Sequence, residues 1–154
     1  MSNSNGDSGT IFAELRDDHE VQRDLFERLE KTQGDESARR EGFEKLKNEL
    51  LNHETAEEKH FYSELMTIDL TQEKTRHSVA EHHEIDEKVE ELEAIDFSSS
   101  QWLPKLRDLK ELVIHHLDEE EEEVFPLAGK ALSDKQKTSL GKSYREEVEQ
   151  LRKG

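Results

Sequence analysis

Apolar residues recur along this chain at steps of three and four. Phe12, Leu15, Phe26 and Leu29 mark one stripe, and Phe43, Leu46, Leu50, Phe61 and Leu65 a second. Val79, Ile85, Val89 and Leu92 make a third, and Leu106, Leu109, Val113 and Val124 a fourth. That is the period of helices burying one face. No stretch alternates with period two, so no strand is expected.

The spacing predicts a helix from about Thr10 to Lys31, broken by "TQGDES", and a second from an Asp35 cap to about Met66. A third starts after "IDLTQEK", with Thr71 as cap, and ends near Asp96. A capping box of Ser98 with Gln101 opens a fourth, with Pro104 tolerated in its early turns and Pro126 kinking or ending its last turn. Ser133 and Gln136 form another capping box before a short helix to about Leu151. Short connections favour antiparallel neighbours. The expected fold is all-α: an up-down-up-down four-helix bundle over residues 10–132. A short additional C-terminal helix is expected in 133–154, and a disordered tail at 1–9.

Composition changes this picture in two ways. Of 154 residues, 40% are charged and only 31% hydrophobic, a balance that alone would suggest disorder. The regular apolar phase and the presence of only two prolines argue instead for helices with charged outer faces. The net charge of −17 sets the chain against nucleic-acid phosphates and anionic membranes and favours cations. Cysteine is absent, so any metal must be held by nitrogen and oxygen. No apolar run is long enough to span a bilayer, and "MSNSNGDSG" lacks the apolar stretch of a signal peptide. The expectation is a soluble, cytoplasmic protein.

The stripes are interrupted by polar residues in phase with them. His19 follows Leu15 by four residues. His53 and Glu57 continue the second stripe, His82 falls in the third, and His116 and Glu120 continue the fourth. A helix advances about 100° per residue, so His-x-x-x-Glu stacks an imidazole and a carboxylate on one face, one turn apart. Two such pairs with two more histidines place four nitrogens and two carboxylates in the bundle centre. Burying two unpaired carboxylates costs several kcal/mol each, and no lysine or arginine lies in phase to offset this. Two divalent cations would. Nitrogen–oxygen ligands with open positions suit iron or manganese, with zinc as an alternative.

Each feature has a plainer reading. One in-phase histidine is usually a hydrogen-bonded core residue, and the Glu119–Glu123 run is a solvated face for most of its members. The coincidence on four helices favours metal. Alternates remain open: His115 with Glu119 keeps the His116–Glu120 spacing, His83 adjoins His82, and His60 lies one turn beyond Glu57.

The segments "LRDDHE", "HETAEEKHFY", "AEHHEID" and "HHLDEEEEEVFP", in that order, resemble the hemerythrin-like domains of the HHE cation-binding family over roughly residues 10–132. The resemblance implies a four-helix bundle around a non-haem di-iron centre with carboxylate and oxo or hydroxo bridges. Carried over by position, its ligands are His19, His53, Glu57, His82, His116 and Glu120, the six that phase selects. The oxygen carriers of the family have a His-x-x-x-His pair on the third helix. Here Ser78 and Asp86 stand four residues either side of His82. Those carriers also set the carboxylate five positions after the fourth-helix histidine, not four, a step that His115 with Glu120 would restore. Both differences tell against reversible oxygen carriage.

The function expected is binding of, or reaction with, O2, NO or peroxide, in sensing, detoxification or iron handling. That is a metal- and oxygen-binding protein rather than a dedicated enzyme, with no catalytic residue assigned. The alternatives are a two-metal hydrolase and a metal-free acidic interaction module. The hydrolase lacks a Gly-rich loop or a basic orienting cluster.

Overall fold

The structure is a computed structural model that describes residues 9–154. The expected tail at 1–9 lies, for residues 1–8, outside the described residues. Five helices follow, with no strand among the described residues. Helix α1 is Ile11–Glu30. Helix α2 comprises Ser37–Glu57, a π-helical turn Glu58–Tyr62 and a last turn Ser63–Leu65. Helix α3 is Asp69–Glu93. Helix α4 comprises Trp102–Glu119, a second π turn Glu120–Val124, and Phe125–Ala131. Helix α5 is Asp134–Lys153.

The first four helices form the expected bundle, with α1 against α2, α3 against α4, and α4 against α1. Helix α5 packs along α1 and α2. It is a packed part of the core: Tyr144 and Val148 are buried with Ile11, Phe12 and Leu15. Gly141 permits this approach, because a Cβ there would stand 2.6 Å from the Gly9 carbonyl oxygen and 2.8 Å from the Ile11 nitrogen.

The caps correct the sequence reading at three places. The Ser133–Gln136 capping box opens α5 as expected, and α1 starts at Ile11 behind a Thr10 cap, close to the expected start. Asp35, however, pairs with Arg40, and α2 begins only at Ser37. Thr71 is buried, and its hydroxyl donates to the Leu65 carbonyl at 2.8 Å, tying the α2–α3 turn, while α3 starts earlier at Asp69. Ser98 makes no box with Gln101; the Gln101 amide donates to Ser99 Oγ at 3.1 Å. In each case a local side-chain partner competes with the helix end. Pro126 does not end α4, which continues to Ala131.

The apolar interior is split into two layers. One holds Phe12, Phe61, Leu65, Phe125 and Tyr144. The other holds Phe26, Phe43, Leu50, Ile85, Trp102 and Leu109. Buried polar side chains lie between them.

Candidate metal centre

The six in-phase residues meet in that polar layer. His19, Glu57 and Glu120 are fully buried, and His53, His82 and His116 are at most 3% exposed. They fall into two ligand groups that share one carboxylate. His19, His53, Glu57 and Glu120 form the first, and Glu57, His82 and His116 the second, with one ligand atom from each residue within 4.8 Å of the others in its group. The imidazoles pair accordingly, ring centroids 5.3 Å apart for His19 and His53 and 5.0 Å for His82 and His116.

The two nitrogens of each ring have different fates. Every Nδ1 is directed outward to a partner. That of His19 donates to Glu121 at 2.6 Å, that of His82 to Glu58 at 2.6 Å, and that of His116 to Glu81 at 2.6 Å. His53 Nδ1 meets the Tyr144 hydroxyl at 2.7 Å. That hydroxyl donates to Asp18 at 2.5 Å, so it accepts from His53. Asp18 is in turn held by Arg145 and Arg152. With Nδ1 donating outward, Nε2 is the nitrogen turned on the centre, and in the neutral ring it carries the lone pair.

All four Nε2 atoms, both Glu57 oxygens and Glu120 Oε1 are buried without a hydrogen-bond partner. They are nonetheless close: His19 Nε2 is 3.0 Å from Glu120, and Glu57 Oε1 lies 3.4 Å from His53 Nε2 and 3.2 Å from His82 Nε2. Buried polar groups are rarely left unpaired. Lone pairs converging at these distances fit cations between them.

The metal-free electrostatics are those of a crowded acidic pocket. Burial pushes Glu120, and the charge of Glu57 adds to it, so its carboxyl sits well above the usual range. Glu57 feels burial too, but His53 and His82 outweigh it and hold it well below. Burial lowers His19 to about 4 and lowers His116 as well. Burial lowers His82, but the negative charges of Glu57 and Glu58 beside it outweigh this and raise it to about 10.

The alternates lie elsewhere. His83 and His115 are exposed, and Glu119 turns outward to His77 at 3.0 Å. His60 is half-buried and faces Glu147. Sequence reasoning missed the supporting residues. Glu121, expected to face water, accepts from His19, and Glu58 plays the same part for His82. Tyr62 donates to Glu120 from within the first π turn. The signal was present: each carboxylate ligand candidate is followed at once by a second glutamate, Glu57–Glu58 and Glu120–Glu121.

The hemerythrin HHE cation binding domain matches residues 10–128. The chain belongs to the hemerythrin HHE cation-binding domain family. A crystal structure of a hemerythrin HHE cation binding domain-containing protein from Mycobacterium kansasii superposes with a TM-score of 0.85 at 21% identity, covering 94% of this chain and 88% of that one. At that identity the likeness speaks for the shared fold. Among curated proteins no match is found. Within this HHE domain, among the described residues, no helix is long and apolar enough to cross a membrane.

The role of Tyr144 as acceptor for His53 is open to test. Tyr144→Phe removes that acceptor but leaves Asp18 with its two arginines. Cation affinity is expected to fall roughly 10- to 100-fold, with helical content unchanged by circular dichroism. Chelator competition returning the parent affinity would refute the role.

Proposed function

We propose that this HHE domain is a non-haem di-iron protein whose centre binds or reacts with O2, NO or peroxide, in sensing, detoxification or iron handling. The observation that carries the reading is the set of four unpaired imidazole Nε2 atoms turned on Glu57 and Glu120 inside a closed interior. In this reading His19 and His53 hold one ion, His82 and His116 the other, and Glu57 and Glu120 complete the set. Manganese and zinc suit the same donors.

A ferrous pair, when bound, supplies reducing electrons and open positions for a small ligand. The chain's own residues prepare the site. Glu121, Tyr144, Glu58 and Glu81 orient the imidazoles through Nδ1. The Tyr62 hydroxyl holds a proton at Glu120 Oε2. Phe12, Phe61 and Phe125, packed edge to face and tilted beside His19, give this side of the site an apolar wall.

Elemental analysis is expected to find roughly two ions per chain, one for each ligand group. Anaerobic loading with ferrous iron, followed by air, NO or peroxide, should change the near-ultraviolet spectrum of the protein. A colourless, metal-free protein after that treatment would overturn the proposal.

A further inference from the structure

A second cluster of metal-type donors stands outside the centre, on the seam between α3 and α4. His77 and Glu81 lie one turn apart on α3, and Glu119 faces them from α4. One ligand atom from each comes within 4.8 Å of the others. His77 Nε2 is 3.0 Å from Glu119 Oε1 and 3.3 Å from Glu81 Oε2.

Taken alone, a histidine and a glutamate four residues apart on an acidic helix are ordinary surface. Two observations separate this cluster from that background. First, a single ring nitrogen is approached by two carboxylates. It has one proton or one lone pair, so it can satisfy at most one of them. Lys74 is paired with Glu123; it feels the charge of Glu119 but makes no ion pair with it or with Glu81 among the described residues. Second, Glu81 is not a surface residue. It is 5% exposed, and its other oxygen already accepts from His116 Nδ1 at 2.6 Å. A buried carboxylate therefore presents one oxygen to the centre and aims the other at the cluster. His77, half exposed at 54%, leaves the outer side open to water.

We infer that His77, Glu81 and Glu119 form a peripheral site for a divalent transition-metal ion, outside the di-iron centre and joined to it through the carboxylate of Glu81. One imidazole nitrogen and two carboxylate oxygens, with solvent completing the shell, suit zinc, ferrous iron or manganese. The net charge of −17 concentrates such ions at the surface. The inference stands on its own geometry; only the link through Glu81 rests on the di-iron reading.

The test is zinc uptake, measured by competition with a chromogenic chelator, on the iron-loaded chain. One zinc equivalent beyond the centre is expected. His77→Ala and Glu119→Gln, both at solvent-accessible positions, should each lose that equivalent while iron content stays at the parent value. The same pair of substitutions made in a Glu57→Ala background reads the outer site whether or not the centre takes iron, which separates failure here from failure of the di-iron reading. Absence of the extra zinc in the parent, or its retention in both variants, would overturn the inference.

Discussion

Glu57→Ala is expected to abolish paired metal binding. Glu57 is the one residue common to both ligand groups, and both of its oxygens are buried without a hydrogen-bond partner. Loss of any other ligand candidate strips one group, whereas loss of Glu57 strips both. Bound metal should drop from roughly two ions per chain, one for each group, to trace levels. Stability should follow. A ligand that binds only the folded state stabilises it by about 4 kcal/mol at a thousand times its dissociation constant. The parent should therefore melt well above its chelated form, and the variant should melt at one temperature with and without chelator. Using that difference cancels the packing cost of the truncation itself. A variant that still melts higher with iron, at two ions per chain, would show that Glu57 does not bridge the groups.

Much of this centre was legible in the sequence, because phase is a strong constraint on a helix. Leu109 and Val113 set the inward direction of α4 and so favoured His116 and Glu120, although His115 with Glu119 kept the same spacing; His116 and Glu120 are the buried pair. Ile85 and Val89 decided His82 over His83 by the same logic. What phase could not show was the π turns. Each adds one residue to a turn, so two consecutive positions face inward: Phe61 with Tyr62, and Val124 with Phe125. A reading at steps of three and four keeps one of each pair and discards the other, and so it passed over Tyr62.

The supporting shell was hidden for a different reason. Glu58, Glu81 and Glu121 come from helices dense in glutamate, where composition gives no contrast between a solvated carboxylate and one that holds an imidazole. Tyr144 lay on the helix read as an appendage. Its burial depends on Asp18 and on the close contact at Gly141, which join segments far apart in sequence. Helix caps failed more simply: Asp35, Thr71 and Ser98 were sound choices locally, but Arg40, the Leu65 carbonyl and Ser99 took over the roles expected of them or their partners.

Metal affinity is expected to rise steeply with pH between 6 and 8. In the metal-free chain His82 is protonated throughout that interval, since the negative charges of Glu57 and Glu58 lift it from the ordinary 6.5 to about 10. Burial and the charge of Glu57 push Glu120 up as well, toward its protonated form. A proton on either group occupies an atom that a cation would need. Binding must therefore release it, and by linkage each released proton adds about one decade of affinity per pH unit. His82 alone gives about a hundredfold over the two units, and Glu120 adds to this in the same direction. The sign for stability runs in opposite senses in the two forms. In the chelated chain the raised His82 contributes stability that is fully present below 6.5 and is lost as pH rises through about 10. In the loaded chain protonation competes with the metal, so loading is favoured as pH rises. The melting-temperature gap between loaded and chelated protein should thus widen from pH 6 to 8. Anaerobic ferrous titrations in weak buffer with an indicator dye would count the protons directly. A gap that is flat or narrows over this range, or loading without acidification, would mean that His82 Nε2 and Glu120 are not displaced and do not bind the ions.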